Sequence, residues 1–186
     1  MKMKLVSTAL LASLMSVGAY AASTGTITFK GELTDTTCEV GINGQGSDAT
    51  VTLPTEGVEN LTAAGQVSGR TSFNMNLINC VIGSDNATNK VSTFFQAGST
   101  VDLSTGRLIN QSTTGATNVE LRLLDPSNNY AVINVGNTDQ IANNTYVDID
   151  ATNGTALLHY AVEYYAIGQT TPGAVSSSVI YNLMYN

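Results

Sequence analysis

Residues 177–186 read SSVIYNLMYN. Val179, Tyr181, Leu183 and Tyr185 fall at every second position, so a strand built from this stretch turns all four to one face. Near the other end, residues 25–38 read GTITFKGELTDTTC, and Ile27, Phe29 and Leu33 alternate with Thr28, Lys30 and Glu32 in the same period of two. Chain ends fray unless something ties them down, yet these are the two strongest strand signals in the sequence. The N-terminal stretch poses a question of ownership: whether it completes its own sheet or another molecule's.

The compartment follows from residues 1–21. Lys2 and Lys4 form a positive start, Leu5 to Val17 an apolar core, and Ala19-Tyr20-Ala21 the small residues of a signal-peptidase site. The apolar run is shorter than the ~20 residues a bilayer requires, so a signal peptide cut after Ala21 is expected rather than an anchor. What remains suits one domain large enough to bury a real core. The formal charge of −7 becomes two units more negative when Lys2 and Lys4 leave. An acidic, lysine-poor chain is unsuited to nucleic acid or anionic lipid, and no second long apolar segment predicts membrane insertion. Cys38 and Cys80 are the only cysteines, and an even count in an exported chain reads as one disulfide.

Strand signals recur along the chain. Val51 to Leu53 precede Pro54; Phe73, Met75 and Leu77 alternate on the way to Cys80; Val119, Leu121 and Leu123 alternate with Glu120 and Arg122. Tyr130 to Val135, Tyr146 to Ile149 and Leu157 to Ile167 are further β-rich runs, and a short helical turn is expected over Leu61 to Val67. Gly, Asn, Ser and Thr clusters separate these runs, as turns require. Many short strands with frequent turns and no internal repeat predict a single all-β sandwich or barrel.

Residues that carry chemistry are scarce. His159 is the only histidine and lies in a strand-like run, with no local nucleophile motif such as G-x-S-x-G beside it. Asp148 and Asp150 share one side of a strand, but no calcium-loop spacing follows them. The glycines match neither phosphate-cradling pattern. No catalytic residue, cofactor or metal site is assigned, and the chain is not read as an enzyme.

The two ends together resemble the subunits of chaperone–usher fimbriae, specifically type 1-like major pilins. That family carries a penultimate aromatic, here Tyr185, with alternating apolar residues before it and a glycine fourteenth from the end, here Gly173. ITFKGEL fits its N-terminal strand with Gly31 at the family's glycine; FNMNLINC fits the segment ending in the second cysteine; GATNVELRLLD fits the middle. The resemblance covers essentially the whole mature chain, and the segment between Cys38 and Cys80, including Gly41 to Ser47, is longer than the family's. It implies an incomplete immunoglobulin-like sandwich that lacks its last strand and is completed by a donor strand from a neighbouring subunit. Residues 22–34 are then the donor-strand extension, with Ile27, Phe29, Gly31 and Leu33 entering the neighbour, and residues 35–186 the pilin body. Gly173, Val179, Tyr181, Leu183 and Tyr185 are the expected groove strand, shared by a periplasmic chaperone that lends a strand before assembly. The implied partners are that chaperone, an outer-membrane usher and identical subunits in a helical filament at the cell surface. The implied function is the major shaft subunit of a fimbria supporting adhesion or biofilm formation, with a minor or adaptor subunit as the alternative.

Overall fold

The computed structural model describes residues 25–31, 33–83 and 89–186. The expected signal peptide at residues 1–21 lies outside these, as do residues 22–24 and Glu32 of the expected extension. The chain divides into two units, Met1–Glu32 and Leu33–Asn186. In the first, residues 25–31 adopt neither helix nor strand, and Ile27 and Phe29 expose 78% and 87% of their surface.

Among the described residues the second unit holds ten strands: β1 Thr37–Ile42, β2 Val67–Val81, β3 Lys90–Phe95, β4 Val101–Asp102, β5 Arg107–Ile109, β6 Val119–Asp125, β7 Ala131–Ile133, β8 Val147–Asp148, β9 Ala156–Ala166 and β10 Tyr181–Tyr185. Seven form one antiparallel sheet in the order β1-β2-β9-β6-β5-β4, with β7 also on β6; the other three form a small sheet ordered β10-β3-β8. Alternation decides what the large sheet buries. Phe73, Met75 and Leu77 of β2, Leu158, Tyr160 and Val162 of β9, and Leu121 and Leu123 of β6 all turn into one core. From β3, Val91 and Phe95 meet them, and the Phe95 ring stands edge-on to Tyr160 at 5.1 Å between centroids.

The opposite face of the large sheet carries charge in compensated form. Glu163 is 1% exposed between Arg70 (Nε to Oε2, 2.8 Å) and Arg122 (Nε to Oε1, 2.9 Å), while Arg107 pairs with Glu120. Arg107 and Arg122 also lie over the Tyr165 ring. All three arginines of the chain are thus spent on cross-strand pairing, the arrangement that makes a buried carboxylate tolerable.

The structure departs from two sequence expectations and adds one strand that the sequence reading did not name. Val51 to Leu53 form no strand, because a strand needs a ladder partner and the side where one belongs is open, as described below. The helical turn falls at Val58–Asn60 rather than over Leu61 to Val67, where Gly65 takes a positive φ and β2 has already begun at Val67. Strand β3 carries no clean alternation, since Ser92 and Thr93 are as buried as Val91.

Candidate functional site

β10 has one paired edge and one open edge. Asn186 and Lys90 exchange both backbone hydrogen bonds at 2.9 Å, and the register continues Tyr185–Val91, Met184–Ser92, Leu183–Thr93, Asn182–Phe94 and Tyr181–Phe95. In an antiparallel ladder bonded pairs alternate with non-bonded ones. Asn186, Met184 and Asn182 therefore spend their backbone groups on β3, and Tyr181, Leu183 and Tyr185 aim theirs away from it. These same three residues turn their side chains toward the core. Val179 also packs against the core, although the strand starts two residues later at Tyr181.

The far edge of β3 shows how this fold treats a sheet edge it means to close. The Gln140 side chain in the short helix α1 (Gln140–Asn143) takes the Phe95 N–H and returns an N–H to the Phe95 carbonyl, both at 3.0 Å. Asn144 Nδ2 adds a bond to the Thr93 carbonyl at 2.8 Å. Two side-chain amides thus imitate the missing neighbour, and the edge is satisfied. Among the described strands, β10 pairs only with β3.

Across from that edge stand β1 and the segment running through Val51 and Leu53. Between the two walls opens a cavity of about 690 Å³. Its floor is core: Phe73, Met75, Phe95, Leu121, Leu123 and Val162. The walls are bridged at two points by phenols. Tyr185 Oη accepts the Cys38 N–H at 3.0 Å, and Tyr181 Oη donates to the Ser47 carbonyl at 2.9 Å. Burial raises both phenol pKa values above the usual tyrosine value; the nearby Asp48 carboxylate adds to this at Tyr181, and the Cys38 N–H opposes it at Tyr185. The longer segment after Cys38 thus lands on the slot itself, with Ser47, Asp48 and Thr50 on its rim.

The remaining expected residues lie near this slot or on the chain leading to it. Cys38 and Cys80 form a disulfide, with a Cα–Cα distance of 4.1 Å, that ties β1 to the end of β2 and so fixes the wall that meets Tyr185. Gly173 lies outside β10, in the chain leading to it, pressed against the loop before β6. A Cβ there would come within 2.3 Å of the Ala116 nitrogen, so glycine is needed for a close backbone approach rather than by the slot. Of the expected donor residues, Gly31 joins Ile27 and Phe29 in the first unit and Leu33 opens the second, where it is 99% exposed.

The residues considered for chemistry serve local structure. His159 Nδ1 lies 2.8 Å from Asn74 Oδ1 on the exposed face of β9. Asp148 faces Lys90 at 3.6 Å, whereas Asp150 closes the turn to Thr155 by accepting from the Thr152 N–H and from Asn153. Those bonds, the Asn153 side chain first, hold its carboxyl below the usual aspartate value. Among the described residues no group of three or more His, Cys, Asp or Glu is placed to hold a metal.

Comparison with known proteins bears on the slot. Residues 53–186 match the FimA family, type-1 fimbrial protein A. The chain is 45% identical over 166 residues to the major fimbrial subunit SMF-1 of Stenotrophomonas maltophilia strain K279a, covering 89% of this chain and 94% of that one. It is 34% identical to the F17 fimbrial protein of Escherichia coli, covering 87% of each. In structure it is similar to a subunit of a chaperone–usher pilus, with a TM-score of 0.60, 22% identity, and coverage of 89% of this chain and 97% of that one.

Proposed function

We propose, from the premise that this chain belongs to the type-1 fimbrial protein family, that the slot beside β10 receives residues 25–33 of a second copy. Membership makes the protein a structural subunit of a bacterial surface fimbria, not an enzyme, with the immunoglobulin-like fold of pilus subunits. The observation carrying the docking reading is a match of two surfaces within one sequence. One is a strand edge with outward backbone groups at Tyr181, Leu183 and Tyr185, of which Tyr181 lines a cavity with an apolar floor; the other is a chain segment with exposed Ile27, Phe29 and Leu33 and no strand partner among the described residues. An added strand satisfies the edge and fills the cavity at once. Seating three large apolar side chains contributes ~1.5–3 kcal/mol each, part of which offsets the ordering of the extension.

Donor and acceptor are different surfaces of the same subunit, so each copy that receives also has a strand to give. Such contacts run head to tail and generate a filament rather than a closed dimer. The subunit is read as the shaft component, in keeping with its similarity to a major fimbrial subunit. Before assembly the open edge is an aggregation hazard. A periplasmic chaperone that lends a strand beside Val179, Tyr181, Leu183 and Tyr185, and an outer-membrane usher that receives the complex, complete the reading. Gly173 supports it indirectly, by holding the approach to β10. Residues 1–21 are read as the signal peptide that exports the chain.

Phe29→Asp tests the docking reading. It places a charge in an apolar slot, which costs several kcal/mol when no partner is available. Electron microscopy of cells making only this variant is expected to show filaments reduced at least tenfold, with the subunit still present and oxidised in the periplasm. Filaments of normal number and length would overturn the reading.

A further inference from the structure

We propose that Lys30 of the incoming extension forms an ion pair with Asp48 of the subunit that receives it; this rests on the docking reading above. Beyond the proposed signal peptide the chain carries as cationic side chains only Lys30, Lys90 and three arginines. The arginines pair with Glu163 and Glu120, and Lys90 faces Asp148 at 3.6 Å. Lys30 is exposed, and among the described residues no carboxylate pairs with it. An acidic chain thus leaves one cation unmatched, on the segment it is proposed to give away.

The slot offers one charge to meet it. Of the residues lining the cavity, Asp48 alone is charged, and it stands exposed on the rim with no cation paired to it among the described residues. Tyr181 fixes its place along the slot. The phenol donates to the carbonyl of Ser47, the residue before Asp48, and the Asp48 carboxylate is near enough to help raise the pKa of that phenol. Asp48 therefore lies across the slot from Tyr181.

The extension brings Lys30 to the same point. Its alternating stretch from Ile27 to Leu33 spans seven residues, and so does the acceptor edge from Val179 to Tyr185. Position 30 is the midpoint of one and Asn182, beside Tyr181, the midpoint of the other, so the two meet whichever way the strand runs. Alternation turns Ile27, Phe29 and Leu33 into the cavity and Lys30 out of it, toward the rim. A strand seated beside β10 lies ~4.8 Å from it, between β10 and the wall that carries Asp48, within reach of a lysine side chain. Thr28 and Glu32 flank Lys30 on that face and offer no positive charge. A pair exposed at a rim contributes little binding energy, but a slot edged by a carboxylate rejects a strand that presents another, so the pair acts on which extension the slot accepts.

The test uses the full chain with a copy of residues 22–35 joined after Asn186 through a short flexible linker, so that one molecule fills its own slot. At low salt, Lys30→Glu in the appended copy alone is expected to lower the melting temperature by about 2–4 °C, because attraction becomes repulsion. Asp48→Lys alone is expected to do the same. The two together reverse the pair and are expected to bring the melting temperature back to within about 1 °C of the unaltered protein. In about 1 M salt the losses from the single changes are expected to vanish. Thr28→Glu in the appended copy controls for net charge, and Asp48→Lys is expected to relieve it less than half as well. Additive losses in the double variant overturn the pair, as do equal relief of Thr28→Glu and single losses that persist undiminished in salt. Failure of the unaltered copy to raise the melting temperature at all overturns the docking reading, and this inference with it.

Discussion

A chain lacking residues 22–33 is expected to fold, form its disulfide and form no filaments. The second unit begins at Leu33 and has its own core, from Met75 and Leu77 through Phe95 to Val162, to which residues 25–31 add no strand. Removing the extension therefore leaves the body's packing in place while removing the strand that each subunit is proposed to give. Mixed with intact subunits, the truncated chain still accepts a strand, so it is expected to cap growth and shorten filaments in proportion to its share. The reciprocal change is the appended copy of residues 22–35, which is expected to yield a soluble monomer with a melting temperature more than 10 °C above that of the unfilled subunit, from the burial of Ile27, Phe29 and Leu33 together. Thermal unfolding and size-exclusion chromatography read both. A truncated chain that still polymerises, or one that cannot fold while the appended copy adds no stability, would mean that the opening strand belongs to its own subunit.

Replacing Cys38 and Cys80 together by alanine is expected to cost ~2–5 kcal/mol, enough to leave little folded subunit. The bridge closes a loop of 42 residues in sequence separation, for which loop-closure entropy alone gives about 4 kcal/mol. A second effect is specific to this fold. The Cys38 N–H is donated to Tyr185 Oη, so freeing β1 from β2 also loosens one wall of the slot. The double variant that does fold is therefore expected to bind a peptide of residues 25–35 at least tenfold more weakly than the oxidised subunit. Urea unfolding and peptide titration measure the two effects separately. Unchanged stability, or free thiols in assembled filaments, would contradict this role for the bridge.

Much of this fold is legible in the sequence because one face of each long strand is dry. Phe73, Met75 and Leu77 announce β2, Val119, Leu121 and Leu123 announce β6, and the run from Leu157 announces β9. The slot was legible only through one wall and its proposed occupant: alternation at residues 179–185 and at 27–33, plus the resemblance that joined them. Its walls were not. β3 packs Ser92 and Thr93 as deeply as Val91, so its sequence, KVSTFF, carries no period of two. Gln140 and Asn144 close an edge with side-chain amides, which composition registers only as polar loop residues. Val51 to Leu53 look like a strand and lack a partner because the partner position is the open slot. The phenol bridges from Tyr181 and Tyr185 join residues 134 and 147 positions apart, a separation that no local pattern encodes.

Amide hydrogen exchange, compared between intact filaments and dissociated subunits, tests the central claim most directly. If residues 25–33 of each subunit form the strand missing from the next, their amides are expected to exchange freely in the subunit and to slow by several orders of magnitude in the filament, approaching the protection of core strands. The amides of Tyr181, Leu183 and Tyr185 are expected to slow with them, while those of Asn182 and Met184, already bonded to β3, change little. Fast exchange at residues 25–33 within filaments, or protection there in the isolated subunit, would contradict the account.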